Sequence, residues 1–271
     1  MITKATSLFI AILFFYVNSF AATTDTISIY SNAMHKSYKC SIFFPDDYSA
    51  QKSFPVVYLL NGYSGGYRDW INNKNLINCV DAYHIIVVCP DGGFSSWYFD
   101  SPKDSIWKFE TYIAKEVPAY IDQHYHTIPD REHRGIVGLS MGGHGAMYLA
   151  IKHKDFFGTC ASMSGGVDFT PFPDNWEIAK HLGKYEDNKE LWEQNTVNYW
   201  SGFLKDKELA ISFECGTDDF FINVNRALHQ KLLSLKITHD YAERPGGHTW
   251  EYWTNAIQYE MLFFHNYFSR K

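Results

Sequence analysis

The sequence predicts an α/β fold on a doubly wound, mostly parallel sheet, and three observations carry that prediction. Two near-continuous apolar runs, Phe54–Leu60 and His84–Cys89, have the pattern of strands buried on both faces. Strand-like and helix-like segments then alternate along the chain with no repeat and no linker. Finally, a third apolar run, Gly135–Leu139, ends in Gly138-Leu139-Ser140-Met141-Gly142 and passes directly into a helix-forming run from Ala146 to Lys152. That strand–G-x-S-x-G–helix order is the sequence of a nucleophile elbow, where small flanking residues make room for a strained serine.

In chain order, Met1-Ile2-Thr3-Lys4, an apolar stretch from Leu8 to Val17 and Ser19-Phe20-Ala21 read as a signal peptide over 1–21. The apolar stretch is too short to span a bilayer comfortably. The mature chain then runs from Ala22 as one catalytic domain, 22–271, with no membrane attachment after cleavage. Asp25–Tyr30 and Lys36–Phe44 are expected to form antiparallel strands before the first buried run. Ile106–His124 reads as a helix, kinked or broken at Pro118. Thr159–Met163, Leu209–Cys215 and His239–Ala242 complete the strands, with helices over Asp219–Leu235 and Trp250–Phe268. The aromatic, charged stretch Thr170–Leu204 breaks the alternation. It is expected to be an insertion over the strand ends, where open α/β sheets bind ligands.

Net charge is −6 and no Lys/Arg run occurs, which argues against a nucleic-acid partner. Nineteen tyrosines and eight tryptophans give an aromatic fraction that suits binding of sugars or aromatic groups, besides packing the core. Five cysteines leave at least one thiol unpaired. Cys160 and Cys215 lie in strand-like runs and read as buried thiols, while Cys79 and Cys89 are spaced so that they could pair. Without a C-x-x-C, no structural zinc site is suggested. His124 and His126 read as a solvated helix end rather than a metal site.

A serine hydroxyl needs a general base. In elbow-type folds the base follows an acid along the chain. His248, in Pro245-Gly246-Gly247-His248-Thr249-Trp250, follows the last strand, and Asp218-Asp219 follows the strand before it. Either aspartate could be the acid and either could cap the next helix. The oxyanion hole needs two backbone N–H groups: Met141, after the nucleophile, and Tyr63, in Asn61-Gly62-Tyr63-Ser64-Gly65-Gly66 after the first buried strand.

These pieces resemble the esterase D / antigen 85 group of α/β-hydrolases, which includes feruloyl and acetylxylan esterases, S-formylglutathione hydrolases and mycolyltransferases. The resemblance is carried by Leu59–Gly62, Pro90–Gly93, Ser96–Ser101, Gly138–Ala146, Cys215–Phe220 and Gly246–Trp250, in the family's order. It implies the α/β-hydrolase fold and Asp219 as the triad acid, and it supports Tyr63 as the second oxyanion donor; the serine mechanism itself needs no cofactor or metal. Asn61 departs from the histidine of many carbohydrate-esterase relatives. Export disfavours an S-formylglutathione hydrolase, and Ser96–Ser101 resembles the exported polysaccharide esterases, with Trp97, Tyr98, Trp176 and Phe172 as a platform for a sugar or ferulate ring. The expected function is a secreted serine carboxylesterase acting on acyl or feruloyl esters of a plant polysaccharide or oligosaccharide. Transfer of the acyl group to a sugar alcohol is the alternative chemistry. The Ser, Asp, His order argues against a binding protein on an inactive hydrolase fold.

Overall fold

The computed structural model describes residues 22–270; the signal-peptide segment 1–21 lies outside the described residues. Eight strands form a single sheet in the order β1-β2-β4-β3-β5-β6-β7-β8. They are β1 (Thr23–Ser31), β2 (Lys36–Phe44), β3 (Val56–Leu60), β4 (Ile86–Pro90), β5 (Arg134–Leu139), β6 (Thr159–Met163), β7 (Ala210–Gly216) and β8 (Asp240–Arg244). β1 and β2 pair antiparallel, as does β2 with β4, and the remaining pairings are parallel. This is the α/β-hydrolase architecture that the sequence led us to expect.

The parallel strands β3, β4, β5 and β6 are buried at every residue, because helices cover both faces of the sheet. Alternate side chains therefore enter two cores. Val56, Tyr58 and Leu60 of β3 face one, with α3 (Val117–His124), α4 (Met141–Lys152) and α8 (Ile222–Ser234) packed on it. Val57 and Leu59 face the other, closed by α1 (Lys74–Tyr83) and α9 (Trp250–Phe268). α9 buries Tyr252, Trp253, Ala256, Ile257, Glu260, Met261 and Phe264, the spacing of one helical face.

Several local expectations are corrected. The helix expected from Ile106 starts later, at α2 (Phe109–Thr111), and Ile106 is exposed. Nor does it break at Pro118. A π-helical turn, Tyr112–Glu116, joins α2 to α3, and the Val117 N–H reaches back to the Tyr112 carbonyl. The wider turn absorbs the proline, which has no N–H to donate. His84 is not part of β4; it caps α1 in the left-handed region, at φ 53°. α1 itself was not anticipated. All five cysteines are buried and unbonded, so Cys79 and Cys89 do not pair. The stretch 170–204 forms three short helices, α5 (Ile178–Leu182), α6 (Lys189–Glu193) and α7 (Val197–Trp200). It is anchored by the buried side chains of Trp192 and Val197.

Candidate active site

β5 ends at Leu139, and Ser140 adopts φ 55°, ψ −119° before α4 begins at Met141. A non-glycine residue holds that conformation only where its surroundings enforce it. The turn is tight enough that a Cβ on Gly142 would lie 2.4 Å from the Leu60 carbonyl oxygen, and one on Gly138 would lie 2.3 Å from the Gly142 backbone. Ser140 therefore stands at the C-terminal edge of the sheet, at the N-terminus of α4.

β7 and β8 supply the other members. A Cβ on Gly216 would meet the Gly246 carbonyl at 2.3 Å, so glycine at 216 lets the two strand-end loops touch. The Asp218 N–H donates to the Gly246 carbonyl (2.9 Å) and the Thr217 N–H to the Arg244 carbonyl (2.9 Å). This docking sets Asp219 Oδ2 2.8 Å from His248 Nδ1, and His248 Nε2 2.9 Å from Ser140 Oγ. An ionised carboxylate only accepts, so Nδ1 carries the proton and Nε2 is left to accept from the serine hydroxyl. Asp219 Oδ1 accepts from the Phe221 N–H at 2.8 Å. Asp219 is buried and Asp218 is exposed, so the geometry brings Asp219, not Asp218, to His248. Asp219 also serves the turn into α8, and Asp218 makes no side-chain cap among the described residues.

Tyr63 lies on the cleft wall beside Ser140. A Cβ on Gly62 would be only 3.4 Å from Ser140 Cβ, so the loop after β3 packs against Ser140. Among the described residues neither the Tyr63 nor the Met141 N–H is engaged in a turn or cap hydrogen bond. Asn61 pins this loop. Its Oδ1 accepts from the Gly92 N–H (2.8 Å), and its Nδ2 donates to the Gly62 carbonyl (2.9 Å).

The cleft has a volume of about 330 Å³. Trp176 lines it, as expected, but Trp97 and Tyr98 do not. They are 1% and 0% exposed, so the platform role anticipated for them is corrected to an internal one. Both hold positive φ, 50° and 60°. Tyr98 packs between Gly92 and Gly145 and donates its hydroxyl to the Asn61 carbonyl (2.8 Å). Trp97 packs edge-on against His144 and Phe169 and tilted on Trp176. Phe172 packs tilted against Trp176. Burial pushes the His144 imidazole down to about 4, against the opposing pull of the Asn195 and Trp97 backbones. The cleft walls that sequence reasoning missed are Asp69, Phe220, Trp250 and Trp253. Phe220 and Trp250 stand within two residues of Asp219 and His248, the signal that could have found them.

The fold and this serine–histidine–aspartate arrangement define an α/β-hydrolase. Residues 31–264 match the family model described as "Putative esterase", and the chain belongs to that esterase family. It is 27% identical over 251 residues to an acetyl esterase of Caldicellulosiruptor saccharolyticus, covering 85% of this chain and 94% of that protein. Among solved structures, a ferulic acid esterase superimposes with a TM-score of 0.80 at 28% identity, covering 93% of this chain and 100% of that one. An S-formylglutathione hydrolase from Agrobacterium tumefaciens reaches the same TM-score at 18% identity, over 93% and 98%, a likeness of fold. Esterase membership makes the chain a carboxylesterase.

Proposed function

We propose that the chain is an exported serine carboxylesterase that removes acyl or feruloyl groups from plant polysaccharides through an acyl-enzyme. The observation that carries the mechanism is the continuous hydrogen-bonded line from Ser140 Oγ through His248 to Asp219. Ser140 Oγ attacks the ester carbonyl carbon as its proton passes to His248 Nε2. The carbonyl oxygen becomes an oxyanion, which the N–H groups of Met141 and Tyr63 receive. Collapse breaks the bond to the alcohol, and His248 returns the proton to the departing oxygen. Water then repeats the cycle on the acyl-enzyme, releasing the acid and free Ser140. Asp219 holds the imidazole tautomer and stabilises the imidazolium.

The polysaccharide substrate is supported by the aromatic cleft, with Trp176, Phe220 and Trp250 at hand for a planar or sugar ring. It is also supported by the acetyl esterase and ferulic acid esterase similarities. Export is supported by the sequence of residues 1–21. The test is Ser140→Ala assayed on acetylated and feruloylated xylan oligosaccharides, with and without an added sugar acceptor. Loss of kcat/KM of about 10⁴ or more is expected, with the free acid as the wild-type product. Activity within about tenfold of wild type would remove Ser140 from the mechanism. An acylated acceptor as the main product would make the enzyme a transferase.

A further inference from the structure

The cleft carries one carboxyl group, that of Asp69, which the proposed reaction does not use. Asp69 lines the same cavity as Ser140 and His248, and no lysine or arginine lines it among the described residues. Asp69 Oδ2 accepts from the Gly66 N–H at 3.0 Å, which ties it to the loop after β3. Its Oδ1 has no hydrogen-bond partner among the described residues. Asp91 adds a second carboxylate behind that loop, with Oδ2 3.8 Å from where a Cβ on Gly66 would stand. Burial pushes the Asp69 carboxyl above its ordinary range; the Gly66 N–H opposes this and the Asp91 charge reinforces it. Asp69 is only half-buried and the cleft is open to solvent, so its charge acts across the cleft at short range and added salt weakens it. The large side chains that share the cleft, Trp176, Phe220, Trp250 and Trp253, are aromatic and bring no positive charge to offset it.

We infer that Asp69 sets the charge selectivity of the cleft, admitting esters that are neutral around the scissile bond and turning away those with a carboxylate there. This rests on the reading of Ser140 as the nucleophile. It narrows the substrate class to neutral alcohol partners, such as sugar hydroxyls, over carboxylate-bearing partners such as a peptide thiol. Asp69 also supports the loop, since a Cβ on Gly65 would collide with its Oδ2. A purely structural role and a selective one predict different results.

The experiment compares 4-acetoxybenzamide with 4-acetoxybenzoate, matched esters differing in a neutral or anionic group. The readout is the ratio of their kcat/KM values, in which any effect common to both cancels. Asp69→Asn keeps an oxygen to accept from Gly66 and removes the charge. It should shift the ratio toward the benzoate ester by about tenfold. In the wild type the same ratio should rise several-fold as ionic strength increases from about 0.01 M to 0.5 M. A variant ratio within about twofold of wild type, with or without an equal fall on both esters, overturns the inference. Should Asp69→Asn not fold, a wild-type ratio that ignores salt overturns it equally. Ser140→Ala, run in parallel, separates the two readings. Turnover that survives it sinks the assignment of the site, whereas Ser140-dependent turnover with unchanged selectivity sinks only the role of Asp69.

Discussion

At the scale of single residues, position in the hydrogen-bonded line decides what a substitution costs. Asp219→Asn puts an amide where the imidazole needs a carboxylate, favours the wrong tautomer, and should lower kcat by roughly 10⁴. Asp218 is exposed and its bond to Gly246 uses only the main chain, so Asp218→Asn should stay within a few-fold of wild type. Steady-state kinetics of the two variants on one aryl ester checks the ranking, and the reverse order would hand the role to Asp218. Tyr98 works at one remove. Its hydroxyl holds the Asn61 carbonyl, and Asn61 holds the loop that presents the Tyr63 N–H. On the proposed mechanism Tyr98→Phe should therefore lower kcat about tenfold while leaving KM nearly unchanged, because an oxyanion donor serves the transition state and not the bound ester. A parallel rise in KM would mean that Tyr98 shapes the cleft instead. This residue shows how the sequence can be legible and still mislead. The Ser96–Ser101 motif pointed to Trp97 and Tyr98 as a platform, but an aromatic pair in a motif looks the same whether it faces solvent or packs beneath α4.

Among the elements, the strand–turn–helix of β5 and α4 tolerates least. Gly138→Ala would drive a Cβ into the Gly142 backbone at 2.3 Å and should cost about 3 kcal/mol or more, since backbone cannot yield as a side chain can. Equilibrium denaturation would measure it, and a loss under about 1 kcal/mol would mean that the turn is looser than described. The parallel strands were legible because burial on both faces leaves no polar alternation to confuse them with helices. That Ser140, Asp219 and His248 would meet was legible because a strand-end loop is a fixed address in this architecture. α1 was not, as its ten residues hold only Leu76, Cys79 and Val80 inside. Its start is set by Asn73, whose side chain accepts from the Leu76 N–H and donates to Thr254 on α9. The π-turn before Pro118 was equally hidden. Proline announces a missing donor, but the surrounding packing decides whether the helix breaks or widens.

For the whole molecule, buried charge links stability to acidity. Glu260 of α9 is buried beside β7, and desolvation pushes its carboxyl up to about 7, with Ser212 and Arg244 pulling the other way and Asp240 adding to the rise. The folded state thus binds this proton more tightly than the unfolded chain does. Stability should fall as pH rises from about 4.5 to about 7 and level off above. Glu260→Gln should flatten that part of the curve and be the more stable form at pH 8, by on the order of 3 kcal/mol. Urea midpoints at pH 4.5 and 8 test it; equal slopes in both proteins would clear Glu260. The five unbonded cysteines carry a consequence of another kind. Each is inside, and burial pushes the thiols of Cys40, Cys79, Cys89, Cys160 and Cys215 upward, Cys79 to about 11. Alkylating agents act on thiolates, so the native protein should take up no label while an opened molecule takes up five. Mass spectrometry after timed exposure to iodoacetamide would then read the molecule as a clock of its own opening. Labelled-peptide masses would tell which part comes apart first: Cys79 on the inner face of α1, Cys40 and Cys89 on β2 and β4, or Cys160 and Cys215 on β6 and β7.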